Sequence, residues 1–351
     1  MNMRAIATIS QSALLHNLSV VKKYAPQAKV VAMVKANAYG HHLNLVTPLL
    51  ENADILAVSE IQEAQALRQI TNKPILLLSG VHSREELQQA LDLNCHCVVH
   101  HSSQITLINN TTQALNIWLK IDTGMHRLGL SSEEYQQCLS NFNTNPLINI
   151  ECVLSHFACA DECNHPMNQT QFEAFNTITD NKDNRSMANS AAILSLPESL
   201  FDVVRPGIML YGASPFNDNH FTLKPAMQLS APIVSIKTLQ AGDCVGYGAS
   251  WSANQQTTIA IIAIGYGDGY PRHATNTTPV LINDALYLLA GRVSMDMIAV
   301  DIGSAKVAIG DKAILWGDEK LRVETVAQHS NTIGYELLTG VSARVRFVSG
   351  E

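Results

Sequence analysis

The stretch VVAMVKANAYG, residues Val30 to Gly40, decides the fold. Its five leading residues are apolar and three are β-branched, which reads as a buried strand of a parallel sheet. The run ends in a single lysine, Lys35, followed by small residues, Tyr39 and Gly40. Apolar walls at a strand end disfavour an ammonium. Desolvation therefore lowers the lysine pKa and brings the neutral amine, a nucleophile toward carbonyls, within reach. Taken alone, Lys35 reads more readily as a surface side chain snorkelling from a strand end. The flanking sequence decides between the two.

Outward from this stretch, short apolar runs alternate with helical patterns from about residue 28 to 210. Strands are expected at 29–35, 53–59, 74–79, 96–100, 116–122, 149–156, 185–189 and 201–205. The intervening segments 59–69 (SEIQEAQALRQ) and 83–93 (SREELQQALDL) open with a serine cap followed by carboxylates. Segments 131–139 and 168–178 are further helices. Eight βα units in one run imply an α/β fold, a (β/α)₈ TIM-type barrel, because a doubly wound sheet rarely reaches eight units without a reversal. Near Lys224-Pro225 the texture changes. Short strands at 231–238, 257–264, 286–290, 297–301, 312–315 and 341–347 follow, separated by Gly and Asp turns, with one helix near 323–329. The division expected is a barrel over 1–225 and a mostly-β domain over 226–351, the first ten residues being candidates to pair with the second domain.

A chain of 351 residues suits two domains, and 46% apolar residues can build two cores. The net charge of −7 leaves no basic footprint for nucleic acid. No apolar run is long enough to cross a membrane. Ser10, Gln11 and Ser12 interrupt the N-terminal segment, which lacks the continuous apolar core of a signal peptide. The seven cysteines are odd in number and scattered, as reduced thiols are. A cytoplasmic protein is expected.

Barrel chemistry sits at the C-terminal ends of the strands. There the sequence places Lys35 and Tyr39, then Lys120 and Asp122 with His126 and Arg127 beyond, Ser155-His156, Asn189-Ser190, and Arg205-Pro206-Gly207-Ile208. Cations dominate and Asp122 is the one carboxylate, so the mouth is suited to an anion. Ser190 and the backbone of Gly207 and Ile208 suit a phosphate. Arg127 suits bidentate capture of a carboxylate. A nucleophilic lysine, a phosphate cradle and a carboxylate clamp together point to pyridoxal phosphate acting on an amino acid.

The segments VKANAYGH, IDTGMHRLG, SHFACAD, NS, RPGIMLYG, VGYGASW, IGYGDGY and GRVSMDM resemble the alanine racemase family, in order and spacing, over nearly the whole chain. The resemblance implies a barrel plus β domain working as a head-to-tail homodimer with shared sites, interconverting L-alanine and D-alanine on pyridoxal 5′-phosphate for peptidoglycan synthesis. It implies Lys35 as the covalent attachment point and one base, and Tyr247, from the partner, as the opposite base. Arg205 then donates to the pyridine nitrogen, with His156 between Arg205 and Tyr247. Tyr39, Ser190, Gly207, Ile208 and Tyr335 hold the phosphate. Arg127 and the backbone of Met295 hold the substrate carboxylate, and Asp296 also enters from the partner. Lys120 resembles a lysine carried as a carbamate that orients Arg127. Tyr266 and Arg272 resemble residues of the entrance corridor. His42 stands where the family commonly has glycine, and Ser294 where it often has cysteine.

Three other functions fit parts of the pattern; one, a non-enzymatic pyridoxal-phosphate-binding homeostasis protein, is a barrel alone, against the β domain and its tyrosine. A pyridoxal-phosphate decarboxylase of the same barrel type usually has a carboxylate at the pyridine nitrogen, against Arg205. A broader-specificity racemase typically carries a signal peptide. His156, Cys159, Cys163 and His165 are spaced HxxCxxxCxH, which is not a recognised zinc pattern, and no metal is expected. In Cys95-His96-Cys97 one cysteine is expected to face the core, and Tyr270 and Trp251 read as packing residues.

Overall fold

Lys29–Met33 is the first strand of an eight-stranded parallel sheet in the computed structural model, which describes residues 4–179, 184–216 and 222–351. The strands Ile55–Val58, Ile75–Leu77, Cys95–Val99, Leu115–Lys120, Ile148–Leu154 and Arg185–Ser186 follow in spatial order, and Val203–Val204 returns beside the first. A hydrogen bond from Arg205 N–H to the Ala188 carbonyl, 3.0 Å, joins the eighth strand to the seventh and closes the barrel. The last two strands are only two residues each, shorter than their apolar runs. There a side chain replaces a ladder bond, since the Asp202 carboxylate accepts the Arg185 N–H at 2.9 Å.

Between strands lie helices Ile61–Arg68, Arg84–Asp92, Ser132–Phe142 and Pro166–Ile178. The cap expected at Ser59 sits one residue later, at Glu60. The Ser59 N–H instead donates to Glu63 at 2.8 Å. Cys95 and Cys97 are both buried, not one of them, because residues two apart share a face of a strand.

The second sheet is antiparallel except at one edge. Met227–Leu239 pairs on one side with Lys312–Trp316 and on the other with Thr257–Ile262, so the strands Thr257–Ile262, Ile298–Asp301, Ala285–Leu289, Pro279–Ile282 and Lys312–Trp316 form a closed ring with it. Ile6–Ser10 extends this sheet, antiparallel to Met227–Leu239 and parallel to Arg346–Gly350. The strand expected at 341–347 is displaced to Arg346–Gly350. Ser342 takes the preceding segment out of any ladder, its N–H bonding the Asp268 carbonyl and its hydroxyl the Gly267 carbonyl. The unexpected strand Pro279–Ile282 owes its pairing to Asn283 and Asp284, whose φ of 47° and 65° make the tight hairpin turn into Ala285–Leu289. Helix Val323–His329 falls where the sequence puts it; helix Gly334–Thr339, one and a half turns long, gives too weak a periodicity to read. Tyr270 is buried against Trp316, and Trp251 is half-buried.

The short helix Gly334–Thr339 lies against the barrel mouth. Gly40 has φ of 79°, and a Cβ there would sit 2.0 Å from the Leu338 carbonyl oxygen. Gly40→Ala must push the two segments apart and strain the backbone, a loss of about 1–3 kcal/mol. Thermal denaturation should show a clearly lowered midpoint, and an unchanged melting curve would contradict this contact.

Candidate active site

The four residues after Lys35 all have positive φ: Ala36 51°, Asn37 53°, Ala38 57° and Tyr39 52°. Such a left-handed turn of non-glycine residues costs about 1–2 kcal/mol per residue. It is held by bonds that satisfy its backbone. Ala38 N–H donates to the Val34 carbonyl and Gly40 N–H to that of Ala36, both at 2.9 Å. The Asn37 side chain accepts the Leu43 N–H at 2.8 Å, and Glu63 accepts the Ala36 N–H at 2.6 Å. Buried His41 bonds the Tyr39 carbonyl through Nδ1 at 2.9 Å, and burial pulls its pKa down to about 4, so it is neutral and donates. The turn leaves Lys35 at one end and Tyr39 at the other, both facing one cavity of about 660 Å³.

Tyr39 stacks on Tyr211 at 4.9 Å between ring centres and lies 6.2 Å from Tyr335. Burial pushes its pKa up to about 12, so the phenol keeps its proton and is available as a donor. Opposite it, a Cβ on Gly207 would come within 2.5 Å of the Tyr39 hydroxyl. Ser190 Oγ accepts the Gly207 N–H at 2.8 Å and the Met209 N–H at 3.4 Å, shaping that loop.

The other wall is cationic. Burial and the nearby Arg127 guanidinium hold Lys35 below the ordinary lysine range, partly opposed by Glu63. Burial, then Arg205 and Arg127, pull Lys120 down to about 8. Arg205 is buried and donates to Ser186 Oγ (2.6 Å) and to the carbonyls of Ser155 (2.5 Å) and Met187 (3.3 Å). These partners are neutral, and burial lowers its pKa to about 10, which still leaves it charged near pH 7. Its Nη2 also lies 3.3 Å from His156 Nδ1. Burial and the surrounding cations, Arg205 foremost, keep His156 neutral, so Nδ1 accepts and Nε2 carries the proton. Gln171 anchors this corner, donating to the His156 carbonyl at 3.0 Å and accepting the Ala158 N–H at 2.9 Å.

Lys35, Tyr39, Lys120, Arg127, His156, Ser190, Arg205, Gly207, Ile208 and Tyr335 thus line one cavity. Asp122 does not. It lies behind the wall, accepting the N–H groups of Gly124 and His126, and the carboxylate that lines the cavity is Glu336. Tyr247, Tyr266, Arg272, Met295 and Asp296 are also outside it, on the surface of the β domain. Tyr247 is 70% exposed, and Asp296 is engaged by Arg344 at 2.6 Å. Around Cys159 and Cys163, the Asn168 amide binds the carbonyls of Cys159 and Glu162 at 3.1 and 3.0 Å. Among the described residues no group of three His, Cys, Asp or Glu could hold a metal. Glu63, Asn37, Ser186 and Gln171 were not legible as site residues. Glu63 carries a signal, the third position of a capping box, but that signal speaks only of its own helix.

Fold and site together define a barrel enzyme that presents a desolvated lysine and a cationic wall to a small anionic substrate. Family models for the alanine racemase N-terminal and C-terminal domains match residues 9–215 and 226–349. An alanine racemase from Vesicomyosocius okutanii is 64% identical, over 99% of both chains. The biosynthetic alanine racemase structure from Pseudomonas aeruginosa superposes with a TM-score of 0.96 at 41% identity, covering 99% of this chain and 100% of that one. The alanine racemase from Bartonella henselae, solved with covalently bound pyridoxal phosphate, gives a TM-score of 0.91 at 31% identity, covering 99% of each chain. The chain belongs to the alanine racemase family, an isomerase family, and it interconverts L- and D-alanine.

The depressed pKa of Lys120 has a consequence for stability. A lysine that ionises at about 8 in the folded chain and 10.5 as a free side chain binds fewer protons folded than unfolded, so stability rises between those pH values. Lys120→Met removes the penalty. In cofactor-free protein and carbonate-free buffer it should stabilise the fold at pH 7 by up to about 3 kcal/mol. The advantage should fade as pH approaches 10.5. Denaturant titrations at both pH values check this, and a difference independent of pH would refute it.

Proposed function

We propose that the mouth cavity binds pyridoxal 5′-phosphate at Lys35, and that Lys35 and Tyr247 of the partner subunit exchange protons on opposite faces of the alanine Cα. The reading is supported above all by the separation of the two bases within one chain. Tyr247 is exposed, in a three-residue turn of the β domain, and absent from the lining of the cavity that holds Lys35. A head-to-tail homodimer brings a second copy of that turn, with Met295 and Asp296, over the mouth.

The residues present fit the cofactor. Gly207 leaves beside the Tyr39 hydroxyl a space that any Cβ would fill. Tyr39, Ser190, Tyr335 and the backbone of Gly207 and Ile208 make the phosphate cradle. Arg205, held by Ser186 and Ser155, would donate to the ring nitrogen and keep its own charge. Bound there, the cofactor supplies an electron sink that makes the Cα proton of an attached amino acid removable.

The protein's own side chains do the rest. Arg127 takes the substrate carboxylate and fixes which face of Cα is turned to Lys35. The backbone of Met295 from the partner subunit completes that clamp. Lys120, reactive as a neutral amine, carries a carbamate that orients Arg127. Burial and Arg127 lower the pKa of Lys35, which favours the neutral amine that can accept a proton. Tyr247 of the partner, beside Arg205 and His156, returns the proton on the other face. Tyr266 and Arg272 form the entrance corridor. The enzyme acts in the cytoplasm and supplies D-alanine for peptidoglycan.

Lys35→Ala should lose both the visible absorption band that borohydride abolishes and all but trace racemisation. Retention of either places the covalent attachment elsewhere. Mixing Lys35→Ala and Tyr247→Phe subunits, each inactive alone, should restore up to about half the wild-type rate per heterodimer, because one of its two sites is intact. Heterodimers that form and stay inactive would put both bases on one chain.

A further inference from the structure

Three barrel helices begin with the same device, a glutamate in the third helical position whose carboxylate accepts an N–H just ahead of the helix. Glu134 accepts the Ser131 N–H at 3.0 Å and Glu86 the His82 N–H at 2.7 Å. Glu63 accepts from Ser59 and Glu60 through Oε2, at 2.8 and 3.3 Å. Glu63 alone of the three also bonds the left-handed turn, its Oε1 accepting the Ala36 N–H at 2.6 Å. Two oxygens of one carboxylate therefore tie the end of the second strand to the peptide that immediately follows Lys35.

That peptide is where the lysine leaves its strand. Ala36 is the first of four consecutive residues with positive φ, a conformation that persists only where its surroundings over-determine it. A charge-assisted bond is the strong kind, and this one is made at the hinge between strand and turn. The carboxylate also bears on the amine, favouring its charged form against Arg127.

We propose that Glu63 is a positioning residue for Lys35: it fixes the Lys35-Ala36 peptide at the start of the left-handed turn and so sets the aim of the lysine into the cavity. The inference rests on the reading of Lys35 as the working amine. Glu63 has two effects that can be separated. Its bond to Ala36 controls aim, which governs how fast the amine reacts. Its charge controls basicity, which governs the pH at which it reacts.

The experiment uses the full-length enzyme, stripped of cofactor and reloaded with pyridoxal phosphate, with uptake followed by the absorption band over a range of pH. Glu63→Gln leaves one acceptor oxygen for N–H groups that two carboxylate oxygens hold, so the tie between Ser59 and Ala36 breaks, and the maximal uptake rate and kcat should fall about 10- to 100-fold, an effect of misplacement. It should also move the pH midpoint of uptake down, through loss of the opposite charge. Glu63→Asp keeps the charge but draws it back from Ala36, so the rate should fall with little change in midpoint. Glu134→Gln takes the charge from the same capping contact on another helix while keeping an acceptor oxygen there, and should leave rate and midpoint alone. Glu63→Gln behaving like Glu134→Gln would reduce Glu63 to a helix cap and overturn the proposal. Should Glu63→Gln not fold, Glu63→Asp decides: uptake slower than in Glu134→Gln supports the proposal, and equal uptake overturns it. Lys35→Ala is run alongside. If it still takes up cofactor covalently, the reading of Lys35 fails independently of Glu63.

Discussion

The site depends on a stretch of backbone held where ordinary residues resist going. Ala36 to Tyr39 wind left-handed without a glycine among them. Summed over four residues, the local cost is several kcal/mol, comparable with much of the net stability of a domain. What offsets it is spread over distant parts of the chain: Glu63 from one helix, Asn37 and His41 from the turn and its exit, the Tyr211 ring beneath Tyr39, and the Leu338 backbone against Gly40. The return is a geometry that a right-handed helix could not give, with a lysine and a phenol four residues apart facing the same space.

Around that turn the barrel collects positive charge. Lys35, Lys120, Arg127 and Arg205 share a wall, and each lysine is made less basic by burial and by its cationic neighbours. Unfilled, such a wall is a standing cost; an anion relieves it, so binding energy and site assembly are linked. Arg205 carries this furthest, buried among hydroxyl and carbonyl oxygens with no carboxylate among the partners it binds. A donor fixed in that way cannot become an acid, which restricts the chemistry opposite it.

How much of this the sequence displayed follows from how local each signal is. Strand runs such as 29–35 and the cap at Ser83 are local patterns, and they appear where expected. The residues at strand ends converge because a barrel makes them converge, so the fold class alone brings Lys35, Lys120, His156 and Arg205 together. Gly334–Thr339 was too short to show a period, and Pro279–Ile282 depended on an Asn-Asp turn with no glycine to mark it. Asp122 and Glu336 exchanged places at the cavity because a strand-end residue can point into a loop as easily as into the mouth. Glu63 was invisible as a site residue because its reach to Ala36 exists only once two βα units stand side by side.

The strand Ile6–Ser10 lies between Met227–Leu239, more than 200 residues on, and Arg346–Gly350 at the far end of the described chain, and the Ser10 hydroxyl bonds the carbonyl of a residue 341 positions away. Helix Gln11–Tyr24 follows without a break, its Asn17 bonding the carbonyls of Leu210 and Lys224. The barrel is thus threaded at both ends through the sheet of its companion. Such closure has a kinetic meaning: the contacts of Ile6–Ser10 are among the most non-local the chain makes, and non-local contacts form late because loop entropy must be overcome first. Until they form, Met227–Leu239 presents an open edge, the kind of surface on which unfinished chains associate. Cutting between barrel and sheet would make that edge permanent.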